Sequence, residues 1–452
     1  MSRILLLMGT ETYRAVDFMA AARKLGHQIV VGLDRPDPLE ALSKGGTLSL
    51  DFLDLEASVE RIQGLHGDSP LQAVVSVDDS ATVLAARSCA RLGLPANPEE
   101  SVVAGANKAV FREVMEAAGL RSPWYRRYPL TADAEAASGE APYPCVLKPL
   151  FLNASRGVIR ADHPAGFVAA FGRIAAMLND PELKKRGGEA ADFLLVESFM
   201  PGAEVALEGM IQQGEFHLLA FFDKPDPLDG PFFEETLFIT PSRLPERAQE
   251  AALAVAARGA RALGLRTGAV HAELRLDGGE PYLLEMAPRS IGGHCSRSLR
   301  FGAGMSLEEL ILRQALGQTP AAAEAKNRAA EAKNRAAEAK NRAAEAKNRA
   351  AEAKNRAAEA KNRAAERESR ASGVMMIPIP GAGTLHSVNG LEAARQVEGI
   401  EDVEISIPLT QQVAPLPEGH RYLGFIFAKG DTPQAVETAL RESHGKLTFQ
   451  IG

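Results

Sequence analysis

The sequence predicts a multidomain protein in which a parallel α/β domain precedes α+β domains. The chain has 452 residues, which is enough for about two to four domains. Residues 1–104 alternate short apolar runs with helical patterns, as β-α-β units do. Residues 105–318 carry paired strand patterns with short turns between them. This change of pattern marks the first domain boundary.

The composition is that of a globular protein, with 46% hydrophobic and 24% charged residues. No apolar run is long enough for a transmembrane helix, and the run at residues 4–8 is too short for a signal peptide. The three cysteines (Cys89, Cys145 and Cys295) lie far apart without a CxxC pair, which argues against a disulfide framework or a zinc site. We therefore expect a cytoplasmic protein without a membrane partner.

The charge is unevenly distributed along the chain. Six identical heptads with the sequence Ala-Ala-Glu-Ala-Lys-Asn-Arg occupy residues 322–363, and each adds one positive charge. The net charge is −7 for the whole chain, so the remainder carries −13. A remainder this acidic argues against a nucleic-acid partner bound through a broad basic face.

The first domain is expected to be Rossmann-like. Its alternating elements are the strands Ile4–Met8, Gln28–Leu33 and Ala73–Val77 and the helices Tyr13–Leu25 and Ala81–Leu92. Gly9-Thr10-Glu11 follows the first strand but lacks the GxGxxG pattern, so it favours an ordinary strand-to-helix turn over a dinucleotide site.

Two further regions show globular patterns. The elements expected in residues 105–318 are the helices Lys108–Ala118 and Pro245–Leu263 and the strands Cys145–Lys148, Gly157–Arg160, Phe193–Glu197, Glu204–Ile211, Phe216–Phe222, Gly268–Leu276 and Tyr282–Met286. Those expected in residues 372–452 are the strands Val374–Ile379, Glu401–Ile407, Tyr422–Ala428 and Leu447–Ile451 and the helix Thr432–His444. The second set predicts a small C-terminal α/β domain.

Residues 319–371 are expected to form a helical heptad-repeat segment. Its alanines, glutamates, lysines and arginines are strong helix formers, and each glutamate precedes an arginine by four residues. Three interpretations stay open: a solvated spacer, a coiled coil of residues 322–370 that binds a partner or a second copy, or a repeat expansion without a role. Alanine buries little area, so such a coiled coil would be weak.

The strongest chemical signal is a pair of carboxylates at the ends of two adjacent strand patterns. Glu273 and Glu285 are joined by the turn at residues 277–279, and a hairpin would place them side by side. Adjacent carboxylates repel each other unless a cation lies between them, and oxygen ligands suit Mg²⁺. Arg289 follows four residues later and could clamp a phosphate or carboxylate. The alternative is a surface hairpin with unrelated acids.

Three further segments are weaker signals. Lys148 lies in an apolar strand pattern, where an ammonium needs an anion, and the small-residue loop at 153–158 could bind phosphates through backbone N–H groups. Residues 193–204 run from an apolar strand into a turn with acids at both ends, although any strand and loop can look this way. The segment 221–235 is expected to cover the substrate side, where Lys224 could touch a phosphate.

Taken together and in this order, these segments resemble the ATP-grasp superfamily over about residues 1–318. The string from Gly268 to Glu273, followed by Glu285 and Arg289, is similar to the L-amino acid ligase branch. The resemblance implies a pre-ATP-grasp domain (1–104), an ATP-grasp domain (105–318) and a lid at about residues 125–200.

The resemblance also implies roles for individual residues. ATP phosphates would be held by Lys108 and Lys148, and the lid loop would contain Ser155, Gly157 and Val158. Adenine would be held by Glu197 and the backbone of Ser198, Phe199 and Met200, and ribose by Glu204. Mg²⁺ or Mn²⁺ would be bound by Glu273 and Glu285, and Arg289 would stabilise the reacting centre.

The implied activity is that of an ATP-dependent carboxylate–amine ligase that acts through an acyl phosphate on amino acids or small carboxylic acids. One departure is Ala287, which stands where many ATP-grasp enzymes have an asparagine as third metal ligand. Two alternatives stay open. One is bicarbonate activation of the biotin-carboxylase type, and the other is a nucleotide-binding scaffold that recruits partners through the heptad helix.

Overall fold

The computed structural model describes residues 2–318 and 370–452, apart from Glu11, Pro38, Leu39, Ala41, Leu42, Lys44 and Ala303. The chain divides into two compact units, Met1–Pro95 with Leu299–Ser369 and Ala96–Ser298 with Arg370–Gly452. The predicted heptad helix lies outside the described residues, except for its last two positions.

The first unit contains the predicted α/β sheet. Its elements up to residue 95 are β1 (Arg3–Met8), α1 (Ala15–Leu25), β2 (Gln28–Leu33), β3 (Thr47–Ser49), α2 (Leu55–Asp68), β4 (Ala73–Ser76) and α3 (Thr82–Leu92). The strand order is β3-β2-β1-β4, and every pairing is parallel. Strand β1 is buried along its whole length, which explains its unbroken apolar sequence.

The second unit begins with helices and two groups of strands. Its first part consists of α4 (Glu99–Ala106), α5 (Lys108–Ala117), β5 (Tyr125–Pro129), α6 (Ala134–Ser138), β6 (Cys145–Pro149), β7 (Ile159–Ala161), α7 (Pro164–Leu178), α8 (Pro181–Gly187) and β8 (Phe193–Ser198). Its second part consists of β9 (Ala203–Gln212), β10 (Glu215–Asp223), β11 (Leu237–Thr240), α9 (Glu246–Ala262), β12 (Thr267–Asp277) and β13 (Glu280–Ala287).

Residues 299–318 pack with the first unit, although the sequence pattern placed them with residues 105–318. They contain α10 (Leu307–Ala315), whose first turn is closed by a capping box between Ser306 and Glu309. The carboxylate of Glu309 also accepts a hydrogen bond of 2.7 Å from Lys24 in α1. This contact between positions far apart in the chain has no local sequence signal.

The C-terminal residues extend the central sheet. Their elements are β14 (Ala371–Ile377), β15 (Gly383–Asn389), α11 (Leu391–Arg395), β16 (Ile400–Ile405), β17 (Gln412–Val413), β18 (Gly424–Gly430), α12 (Pro433–His444) and β19 (Thr448–Ile451). In the described part of the chain, none of the helices has the length and apolar composition needed to cross a membrane.

Three sheets organise the second unit. An antiparallel sheet with the order β5-β8-β6-β7 packs against α7, and β17-β15-β19 forms a small sheet. The largest has the order β13-β12-β9-β10-β11-β14-β18-β16. Strands β11 and β14 pair from Leu237 opposite Met375 to Thr240 opposite Ser372. The C-terminal residues therefore share a sheet with the preceding residues. The small C-terminal domain at residues 372–452 stays a prediction.

One face of this large sheet carries an apolar core. Helix α9 supplies small residues, among them Ala252 and Ala256, which pack with Val270 and Leu274 of β12. Because side chains alternate along a strand, the intervening residues of β12 point to the opposite face. That opposite face carries the polar residues of the candidate site.

Candidate active site

The polar face is built by alternation along β12 and its neighbour β9. His271, Glu273 and Arg275 occupy every second position of β12. In the antiparallel register, His271 lies opposite Glu208 and Arg275 lies opposite Glu204. Directly opposed residues share a face, so the two strands present one continuous group of ionisable side chains.

The hairpin of β12 and β13 places Glu273 directly opposite Glu285. This pairing confirms the hairpin predicted from the sequence, and it puts the two side chains on one face. Oxygen donors of this kind fit a hard cation such as Mg²⁺ or Mn²⁺. The buried Ala287 lies opposite His271 and offers no side-chain ligand. Any further ligands would have to come from other groups.

Lys224 lies at the centre of a carboxylate cluster. Its ammonium lies 2.7 Å from Glu204 and 2.9 Å from Glu273, and it also contacts Glu235. Oxygen atoms of the three carboxylates all lie within 4.8 Å of one another. Burial lowers the pKa of Lys224, but the three carboxylates outweigh burial and raise it well above the usual value. Lys224 is therefore a positively charged ammonium surrounded by the three carboxylates.

The carboxylates of this cluster differ in their affinity for protons. Burial, followed by repulsion from Glu273, raises the pKa of Glu235 to about 8, although Lys224 opposes the shift. Burial also raises the pKa of Glu273, but Lys224 and the neighbouring His271 outweigh it and lower the pKa below the usual range. The cluster therefore keeps Glu273 ionised and stores a proton on Glu235.

Arg275 connects the cluster to the segment predicted to hold adenine. Its guanidinium donates 2.9 Å hydrogen bonds to Glu204 and to the carbonyl of Met200, and another to the carbonyl of Leu228. It also lies 5.1 Å from the ring centre of Phe199. Because Arg275 and Lys224 occupy both oxygens of Glu204, ribose binding by Glu204 would share or replace these contacts.

The backbone predicted to hold adenine is partly used by the protein itself. The N–H of Ser198 donates to the carbonyl of Trp124 at 2.8 Å, and the N–H of Phe199 donates to the carbonyl of Pro144 at 2.9 Å. Adenine binding would therefore depend on other groups of this segment.

The second part of the site is centred on Lys148. Its ammonium contacts the carboxylate of Glu197, and Arg112 donates to the same carboxylate at 2.6 Å. Burial raises the pKa of Glu197, but Arg112 and Lys148 reverse the effect and lower it to about 2. Glu197 is thus an ionised partner of two cations. The adenine-binding role of Glu197 stays a prediction.

Lys108 lies at the first position of α5, directly after the N-cap residue Asn107. Its ammonium donates a 2.6 Å hydrogen bond to the carbonyl of Leu152. Burial lowers the pKa of Lys148, and the charges of Arg112 and Lys108 lower it further, whereas Glu197 opposes them. The two predicted phosphate-binding lysines are therefore close enough to affect each other.

The predicted lid loop has a backbone that favours glycine. Ser155 has a φ of 53° and Gly157 a φ of 74°. A Cβ on Gly157 would lie 2.4 Å from the end of the Met177 side chain and 2.7 Å from the ring of Pro149, so a larger residue would displace these neighbours or the loop. The N–H of Val158 donates to the carbonyl of Ser155 at 3.1 Å and closes the turn.

Arg289 follows β13, as the sequence predicts, and is partly buried. Its guanidinium donates a 3.1 Å hydrogen bond to the carbonyl of Ser290. Burial lowers the pKa of His271, and the charges of Arg289 and Lys224 lower it further, although Glu273 opposes them. Arg289 therefore lies close to the carboxylate cluster.

Comparison with known protein families identifies domains in this chain. Family models match an ATP-grasp N-terminal domain at residues 19–96 and an ATP-grasp domain at residues 141–298. The chain therefore contains both an ATP-grasp N-terminal domain and an ATP-grasp domain. Residues 375–452 match the L-amino acid ligase C-terminal domain 2, so the likeness is to the L-amino acid ligase branch.

Individual relatives agree with this assignment. The chain is 28% identical to alanine–anticapsin ligase of Bacillus subtilis over 240 residues, which is 50% of each protein. It is 32% identical to a D-alanine–D-alanine ligase of Aromatoleum aromaticum over 38% of this chain and 52% of that protein. It thus spans about half the length of these curated relatives. An L-amino acid ligase from Bacillus licheniformis shares the fold, with a TM-score of 0.77 and 22% sequence identity. The match covers 100% of this chain and 99% of that chain.

Some site residues were missed or only touched on by the sequence analysis. Arg112 follows Lys108 by four residues on one helix, and Arg275 follows Glu273 by two residues on one strand. Each spacing places a residue on the same face as a predicted site residue. No such spacing relates Glu235 to a predicted site residue, because the loop that carries Glu235 reaches the sheet only through the tertiary fold.

Proposed function

We propose that this chain is an ATP-dependent carboxylate–amine ligase that forms an amide or peptide bond and releases ADP and phosphate. The observation that carries the proposal is the register that sets Glu273 against Glu285 on the polar face of the central sheet. Its relatives bear the names alanine–anticapsin ligase and D-alanine–D-alanine ligase. These names support amino acids or small carboxylic acids as substrates.

The chemistry needs an activated carboxylate, because a carboxylate ion is a poor acyl donor. Transfer of the γ-phosphoryl group from ATP to the acid gives an acyl phosphate and ADP. The amine then attacks the carbonyl carbon, and phosphate leaves as the amide forms. Protein groups contribute mainly by positioning the reactants and by stabilising charge.

Each part of the site has a role in this scheme. Lys108 and Lys148 neutralise charge on the phosphates, and Arg289 stabilises the oxyanion that forms when the amine attacks. Glu273 and Glu285 would hold Mg²⁺ or Mn²⁺, which supplies further charge neutralisation at the phosphates. The loop containing Ser155, Gly157 and Val158 excludes water, which would otherwise hydrolyse the acyl phosphate.

The first test is a screen for phosphate release over pairs of amino acids, with mass spectrometry of the products. The wild type is expected to release phosphate only with an acid and an amine together, and the product mass should equal their sum minus water. Phosphate release that never depends on an amine would contradict the ligase assignment.

The second test is the substitution Glu285→Gln. Loss of one negative oxygen ligand is expected to lower the turnover rate at least about a hundredfold, while the melting temperature stays close to that of the wild type. Glu280→Gln is the matched control, because Glu280 lies on the same strand but is exposed. Wild-type turnover in Glu285→Gln would rule out the metal role of this residue.

A further inference from the structure

Arg112 is a buried arginine that no sequence signal assigned to the site. Its side chain is 1% exposed. Its hydrogen bonds reach one carboxylate and one strand. It donates to both carboxylate oxygens of Glu197, at 2.6 and 3.4 Å, and to the carbonyls of Leu283 and Leu284, at 2.7 and 2.9 Å.

These contacts connect the two parts of the candidate site. Glu197 lies on β8 and holds the ammonium of Lys148 from β6. Leu283 and Leu284 lie on β13, immediately before Glu285. Arg112 therefore fixes the partner of a predicted phosphate-binding lysine and, at the same time, the strand that carries a predicted metal ligand.

The charges of this group do not cancel. Arg112 and Lys148 each contribute one positive charge and Glu197 contributes one negative charge, so the group carries one net positive charge. Removal of Arg112 would leave Lys148 neutralised by Glu197. Charge interactions are strong where water is excluded, so this difference matters to a nearby polyanion.

We propose that Arg112 is a positioning residue for nucleotide binding: it occupies Glu197 so that Lys148 presents an uncompensated positive charge to the ATP phosphates. The inference rests on the proposed function in that Lys148 is taken to face the phosphates. It adds that Arg112, which contacts Glu197 on both carboxylate oxygens, sets the strength of that contact.

The experiment is a calorimetric titration with the Mg²⁺ complex of an ATP analogue whose β,γ-imido bridge blocks phosphoryl transfer. Arg112→Met is expected to weaken binding about tenfold, within the range measured for coupled charged neighbours. The double variant Arg112→Met with Glu197→Gln restores one net positive charge. It is expected to regain most of the affinity that Arg112→Met loses.

A purely structural role predicts the opposite order. The double variant loses more hydrogen bonds than Arg112→Met, so it would then bind no better, and that result would overturn the proposal. Wild-type affinity in Arg112→Met would overturn it as well. The control is Arg3→Met, because Arg3 is a buried arginine of the first unit that donates to the carbonyls of Leu65 and Ser69.

If Arg112→Met does not fold, the conservative variant Arg112→Lys tests the proposed role of Arg112 in nucleotide binding. Arg112→Lys keeps the charge but loses the planar fork that reaches two carbonyls. It is expected to melt at a lower temperature and still bind within about threefold of the wild type. A tenfold loss of affinity in folded Arg112→Lys would contradict the proposal.

Different experimental results would contradict the role of Arg112 and the proposed ligase function. If the wild type binds the analogue but forms no amide with any pair of amino acids, the ligase assignment falls. The binding series still tests Arg112 in that case. If the wild type forms amides and the series shows no restoration in the double variant, only the role of Arg112 falls.

Discussion

At the scale of single residues, the charge of the site is set by a group in which acidic side chains outnumber cationic ones. Lys224 and Arg275 face the carboxylates of Glu204, Glu235 and Glu273. With all three acids ionised, this group carries one net negative charge. Burial, followed by repulsion from Glu273, raises the pKa of Glu235 to about 8, whereas Lys224 and His271 outweigh burial and lower that of Glu273. A proton on Glu235 removes the excess negative charge.

This proton makes stability depend on pH. Because the pKa of Glu235 rises from 4.5 to about 8 on folding, the folded state binds more protons than the unfolded state between these values. The contribution of Glu235 to stability is therefore present below pH 4.5 and is lost as the pH rises through about 8. In metal-free protein, the melting temperature of Glu235→Gln minus that of the wild type is expected to become more positive as the pH rises from 4.5 to about 8. A difference that does not change with pH would contradict the assignment of the proton.

At the scale of elements, the predicted lid loop is held by a loop of the C-terminal residues. The N–H of Gly157 donates to the carbonyl of Pro417 at 2.8 Å, and Arg156 donates to the carbonyl of Glu418 at 2.9 Å. Arg173 of α7 forms a two-pronged ion pair with the carboxylate of Glu418, at 2.5 and 2.8 Å. These contacts connect the predicted lid to residues that the sequence analysis treated as a separate domain.

The ion pair is partly exposed, so its effect should be modest. Glu418→Gln is expected to speed hydrogen exchange of the Gly157 amide about two- to fivefold, as for exposed pairs worth about 0.2–1 kcal/mol. Glu442→Gln is a suitable control, since Glu442 pairs with Lys446 on the surface of α12. Equal exchange rates at Gly157 in Glu418→Gln and the wild type would show that the ion pair does not restrain the lid loop.

At the scale of the whole molecule, the heptads interrupt a chain whose flanking parts belong to different units. Residues 299–318 pack with the first unit, and β14 then enters the central sheet of the second. The heptads contain none of the candidate site residues. The role of residues 322–363 is thus expected to be separable from the chemistry.

Replacement of residues 322–363 by a flexible glycine–serine linker tests this separation. The turnover rate and KM for ATP are expected to stay within about twofold of the wild type, because the candidate site residues all lie outside the segment. Sedimentation of both proteins would show whether the segment mediates self-association. Loss of turnover in a folded linker variant would mean that the heptads support the site.

Local patterns determined much of the architecture and part of the site. Two acids flanking a tight turn predicted the pairing of Glu273 with Glu285. The alternation along the same strand also places Arg275 on the face of Glu273, a signal that the sequence analysis did not use. Such inferences succeed because strand periodicity and hairpin register act over a few residues.

Only the tertiary structure decided which distant groups meet. It brought Arg112 to Glu197, Glu235 to Lys224 and Glu418 to Arg173, and it joined β14 to β11. These contacts span segments whose separation in the chain carries no periodic signal. They form because a buried charge needs a partner of opposite charge and a strand edge needs a neighbouring strand. Neither requirement specifies in the sequence which distant residue or strand will meet it.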